Sequence, residues 1–159
     1  MDSSASGAPA RSRDTASPGV PQQVQVIATT AVGTRAALIE ARRVASQLKL
    51  NKVVMLVPRL ASSVASVESP DDDATTVATY RQLARRLGVD ATVNLCICRS
   101  VREMLQWMVP RGCMVILGGR RRWWWPTREQ RTADLLKHRG HLIVFADASR
   151  IDGCERWCG

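Results

Sequence analysis

Residues 118–126 read GGRRRWWWP, and the adjacent guanidinium groups of Arg120, Arg121 and Arg122 are the side chains best suited to meet an anion. A guanidinium stays charged at any working pH and presents a planar fork of donors that fits phosphate or carboxylate. Gly118 and Gly119 stand just ahead of them, where the lack of a side chain lets backbone come close to a ligand. Trp123, Trp124 and Trp125 follow, and no regular element can turn three adjacent side chains inward. At least one of them is expected to be exposed or to touch a partner. One or two are expected to serve as aromatic anchors on the domain or across a homodimer; stacking on a base and contact with a lipid interface are the alternatives.

Charge favours the same region. Residues 118–141 hold seven basic side chains (Arg120, Arg121, Arg122, Arg128, Arg131, Lys137, Arg139) against Glu129 and Asp134, which is five of the chain's net nine positive charges. Such a local excess suits a nucleotide phosphate, a nucleic acid, anionic lipid headgroups or an acidic protein face; the plain structural alternative is a solvated basic face. Mixed Arg and Trp would suit a single-stranded nucleic acid, but no RNP-type motif is present, which argues against that partner.

Other reactive residues are thinly spread. Cys96 and Cys98 are two apart and share one face of a strand, where small buried residues are expected rather than redox chemistry. Cys154 and Cys158 lie near the end without a histidine beside them, a weak pattern for zinc and open to a disulfide or a free thiol pair. With Cys113 the thiols number five, and three of them sit in or beside apolar runs, which points to reduced cysteines in a cytoplasmic protein. His138 and His141 flank Gly140, where a basic group complements a helix C-terminus. Asp71, Asp72 and Asp73 suit a helix N-terminus better than a metal, since no further ligands converge on them. No acid is paired with a histidine at a plausible site, so no catalytic residue, enzyme activity or metal is expected.

These residues need a scaffold, and 159 residues, 45% hydrophobic, suffice for one domain. Residues 1–23 are rich in Ser, Ala, Gly and Pro and are expected to form a disordered leader. The domain is expected over 24–147 and a tail over 148–159. Strands are expected at 24–28, 52–57 (closed by Pro58), 91–97, 114–117 and 142–146, each a short apolar run. Helices are expected at 34–50 with Thr34 as cap, from the aspartates to the stop at Gly88, at 101–108 and at 128–138. The third helix is expected to turn Val101, Met104, Leu105 and Met108 inward. Strict alternation predicts an α/β fold, a three-layer α/β/α sandwich on a five-stranded parallel sheet, with ligands outside the carboxyl ends of the strands. No run of about 18 apolar residues spans a membrane, and the N-terminus lacks a signal peptide's apolar core.

Over residues 24–147 this arrangement resembles a universal stress protein domain, a Rossmann-like fold of the adenine nucleotide alpha hydrolase-like (HUP) type. That family carries a nucleotide pattern of Gly, two residues, Gly, nine residues, Gly, then Ser or Thr after its fourth strand. Here the pattern falls on Gly118, Arg121, Arg131 and Thr132. The family's aspartate after the first strand falls on Thr29, and the resemblance places Thr29 and Val57 where base and ribose lie. Arginine at two glycine positions blocks close backbone approach to phosphate while offering a guanidinium fork instead. The stretch GGRRRWWWPTREQRTADLL, with VREMLQWMVPRGCMVILGG before it, is also similar to the stress-protein-like domain of KdpD-type sensor histidine kinases. The resemblance implies a cytoplasmic, non-catalytic stress-response or sensory module. Its site would be Thr29, Val57, Gly118, Gly119, Arg120, Arg121, Arg122 and Thr132; its ligand ATP, another nucleotide or another anion; its partner a second copy or a signalling protein. A module that has lost its nucleotide and works through the Trp loop is the alternative.

Overall fold

A computed structural model describes residues 23–61, 70–110, 113–122 and 126–149. Nine elements alternate: β1 (Val24–Ile27), α1 (Ala31–Leu48), β2 (Val53–Leu60), α2 (Pro70–Arg86), β3 (Ala91–Cys98), α3 (Val101–Met108), β4 (Met114–Gly119), α4 (Arg128–His138) and β5 (Leu142–Asp147). The strands form one parallel sheet in the order β3-β2-β1-β4-β5. The expected leader, the Trp123–Trp125 triplet and the Cys154/Cys158 tail lie outside the described residues, apart from Gln23 and the tail's first two positions.

Two apolar layers clothe the sheet. On one face Val24, Val26, Met55, Val93 and Ile116 pack under α1 and α2; on the other Ile27, Leu56, Cys96, Val115 and Leu117 pack under α3 and α4. Central strands buried on both faces are mostly apolar, which is why 53–57 shows no alternation; in 24–27 only Gln25 breaks the run, and it is buried too. Edge strand β3 alternates, with Thr92, Asn94 and Ile97 exposed.

Several boundaries differ from expectation. Pro58 does not close β2, which runs on to Leu60 and pairs Pro58 with Cys96. Ala28 N donates to Leu56 O, so even-numbered residues of β2 face β1, and β1 has ended before Pro58 is reached. The missing N–H therefore falls where no strand needs it. Helix α1 starts earlier than Thr34: Thr30 is its N-cap, accepting from Gly33 N at 3.1 Å, and Thr34 is fully buried inside the helix. In α3, Met104 and Leu105 are buried and Val101 is half-buried, but Met108 is exposed, contrary to expectation: it is the last residue of the helix, and the extended Val109 after it takes the buried position instead. Gly88, at φ +69°, stops α2 as expected.

Candidate functional site

Strand connections run outward from β1 to β2 and β3 on one side and through β4 to β5 on the other. The carboxyl ends of β1 and β4 are therefore the switch point, where a crevice in this kind of sheet takes its ligand. Thr29 stands there. Its hydroxyl donates to Gly118 O at 2.7 Å and its N–H donates to Thr34 Oγ1 at 3.0 Å. Both donors of Thr29 thus tie the turn after β1 to β4 and to α1.

The approach of α1 to β4 depends on two glycines. A Cβ on Gly33 would lie 2.6 Å from Thr29 Oγ1 and would also strike Gly118 O; one on Gly118 would collide with Gly33 O and stand 3.0 Å from Ala37 N. The backbones meet directly, and no ligand atom fits between them. Gly118 and Gly119 were expected to open the loop. Instead they are the last residues of β4, buried, and paired with Ala146 and Asp147 of β5; Gly119 O accepts from Ala148 N at 3.0 Å. A Cβ on Gly119 would stand 3.0 Å from Glu129 Cγ and 3.3 Å from Phe145 Cζ, so the Glu129 side chain covers the end of the strand.

The loop starts at Arg120, and Arg120, Arg121 and Arg122 are all exposed. Its exit is tied to α4, since Gln130 Nε2 donates to Arg122 O at 3.4 Å. Helix α4 caps itself: Thr127 Oγ1 accepts from Gln130 N at 3.3 Å and Gln130 Oε1 accepts from Thr127 N at 2.8 Å. The hydroxyl at the helix start is therefore that of Thr127. Thr132 lies in the second turn, where its hydroxyl donates to Arg128 O at 2.8 Å, so it does not stand at the helix N-terminus. Val57 does not line an open crevice either; it is buried in the layer under α1 and α2. The structure brings Thr29, Gly118 and Gly119 together with the arginine loop and leaves Val57 and Thr132 apart from it.

The electrostatics stay positive. The first turn of α1 carries no acid, so its N-terminal dipole is not neutralised locally, whereas Glu129 occupies the first turn of α4. Sequence inspection passed over Thr30, Gly33, Thr127, Gln130 and Glu129. Of these, only the spacing Thr127-x-x-Gln130 carries a legible signal, that of a capping box.

The remaining reactive groups are the thiols of edge strand β3 and a pair at the amino ends of β4 and β5. Burial pushes the thiols of Cys96 and Cys98 up, with the Cys98 thiol adding to it at Cys96 and the Glu103 carboxylate at Cys98, and raises Cys113 to about 11. Protonated thiols of this sort are poor nucleophiles. Cys113 Sγ lies 3.8 Å from His141 Nδ1 near the amino ends of β4 and β5, and burial together with Arg139 holds His141 below its ordinary value. His141 is therefore a buried core group rather than a helix-end cation; His138 is the one that donates, to Asp134 O at 2.7 Å. Asp73 does not stand ready for a metal but pairs with Arg59 of β2. Among the described residues no helix is long and apolar enough to cross a membrane.

No family model and no curated protein matches the chain. Solved structures do match it. A universal stress protein from Archaeoglobus fulgidus is 11% identical with a TM-score of 0.59, covering 79% of this chain and 93% of its own. A universal stress protein in complex with cAMP is 14% identical with a TM-score of 0.50, covering 81% of this chain and 100% of its own. At such identities the likeness concerns the backbone alone. Five parallel strands with four helices give this chain the fold of the universal stress proteins.

Proposed function

We propose that the chain is a non-catalytic regulatory module of the universal stress protein type, acting in stress response or sensing in the cytoplasm, whose arginine loop takes the phosphate of a nucleotide. The observation that carries this is the placement of three exposed arginines directly after β4 at the switch point. A related fold holds cAMP, which supports an adenine nucleotide such as ATP or AMP as the ligand. The grip differs from a glycine cradle. With Gly33 against Gly118 and Glu129 over Gly119, the N–H groups of Gly33, Thr127 and Gln130 are already bonded within the chain, and guanidinium forks supply the contact. Solvent-facing forks bind loosely and are screened by salt. The likeness of residues 118–136 to the KdpD-type sensor domain supports a sensory role.

Fluorescence anisotropy of a labelled ATP, competed with AMP and pyrophosphate at two salt concentrations, tests this. Saturable binding that weakens with salt and is competed by AMP is expected; binding competed by pyrophosphate but indifferent to AMP would remove the nucleotide.

A second reading, dimerisation or partner docking, is favoured by edge strand β5, where Leu142 is 55% exposed, and by Trp107 of α3, 77% exposed. A concentration-dependent mass in sedimentation, with no nucleotide bound, would favour it.

A further inference from the structure

At the opposite end of the sheet, between the C-terminal halves of α1 and α2, two hollows adjoin. One, of about 260 Å³, is lined by Arg42, Lys49, Leu50, Val53 and Val89; the other, of about 240 Å³, by Arg81, Arg85 and Thr92; Asp90 lines both. Basic groups near a helix C-terminus complement its dipole, and that accounts for Lys49, the C-cap of α1, and for Arg85 in the last turn of α2. Arg42 plays the same part toward the neighbouring helix, donating to Leu87 O just past the end of α2; Arg81, further back along α2, is not accounted for in this way.

The site is built. Arg42 Nη1 donates to Leu87 O at 3.3 Å, fixing its guanidinium, and a Cβ on Gly88 would stand only 3.2 Å from that nitrogen. Lys49 is held in the left-handed region at φ 53°, and Gly88 at φ +69° turns the chain under Arg42. Among the described residues Lys49, Arg81, Arg85 and Asp90 make no ion pair, although Asp90 shares a wall with all three cations. Two pairs of cations thus flank one carboxylate, each pair over its own hollow.

We propose that this double hollow binds a small polyol bearing two phosphates. Arg42 and Lys49 take one phosphate, Arg81 and Arg85 the other, and a hydroxyl between them donates to Asp90. A compact dianion without a hydroxyl would meet Asp90 as a like charge, so the carboxylate selects for the polyol. The proposal is independent of the arginine loop, which lies at the other end of the sheet.

Calorimetric titration of the full chain with fructose 1,6-bisphosphate, fructose 6-phosphate, pyrophosphate and inorganic phosphate tests it. Expected are at least tenfold tighter binding of the bisphosphate than of the monophosphate and a loss of at least tenfold in Arg81→Gln/Arg85→Gln. Asp90→Asn should weaken the bisphosphorylated sugar while tightening pyrophosphate. Arg120→Ala/Arg121→Ala/Arg122→Ala, which removes the separate phosphate-binding loop, should leave the affinity advantage of the bisphosphate over the monophosphate unchanged. Arg81 and Arg85 are exposed, and thermal unfolding verifies that the double variant folds; Lys49→Gln supplies the same readout should it not. Absence of saturable binding, equal affinity for mono- and bisphosphate, or a loss in the loop variant but not in the hollow variants would overturn the proposal.

Discussion

Gly33 in the first turn of α1 and Gly118 in β4 meet backbone to backbone, so that a side chain on either would enter the other's carbonyl. Together with the Thr29 hydroxyl on Gly118 O, this contact joins β1, α1 and β4 at the switch point and directs any ligand outward, onto the arginine loop.

Gly118→Ala is expected to destabilise the fold at the upper end of the cost of over-packing, about 3 kcal/mol, because the colliding neighbour is backbone and cannot rotate away. Chemical denaturation measures it. Ala at Gly140, where nothing lies within 4 Å but φ is +82°, should cost only the backbone strain of about 1 kcal/mol.

Thr127→Ala removes the N-cap of α4 and is expected to cost about 1 kcal/mol, whereas Thr132→Ala, which loses only a bond back to Arg128 O, should be near neutral. Denaturation midpoints of the two variants side by side decide which hydroxyl holds the helix start.

Gln25 is buried in central strand β1, and its Oε1 finds no hydrogen-bond partner among the described residues. Gln25→Met, of similar length, is expected to raise stability by about 1 kcal/mol by removing an unpaired buried acceptor. An increase in the unfolding temperature checks it; a fall would mean that the amide has a partner.

The buried Cys113 and His141 make stability depend on pH in two windows. His141 titrates lower in the folded protein than in the unfolded chain, so the unfolded chain binds more protons just below pH 6.5 and stability falls as pH drops through the folded value. Cys113 is raised to about 11, so the unfolded chain releases its proton first and stability falls as pH rises from about 9 toward about 11. Unfolding temperatures from pH 5 to 11 should show both declines; His141→Gln should flatten the acid one and Cys113→Ala should lessen the alkaline one, to which Cys96 and Cys98 also contribute.

Much of the fold was legible because strands buried on both faces leave apolar runs such as 53–57, and helices such as α2 leave stripes at Val77, Tyr80 and Ala84. Pro58 and Gly118 misled at strand ends: local chemistry disfavours a strand there, but the vacant side of β2 and the pairing of β4 with β5 override it. At the site, the basic loop could be read from composition alone. The Gly33–Gly118 contact could not, since it joins residues far apart in sequence that only the sheet order brings together. Nor could the displacement of Thr132 from the helix start, which depends on Thr127 and Gln130 closing on each other.

The most direct test of the central claim is isothermal titration of the protein with ATP, AMP and cyclic dinucleotides at physiological salt, beside Arg120→Ala/Arg121→Ala/Arg122→Ala. The account predicts saturable binding of at least one nucleotide that the variant weakens tenfold or more while its unfolding temperature stays unchanged. Silence from every nucleotide, or equal binding by the variant, would contradict it.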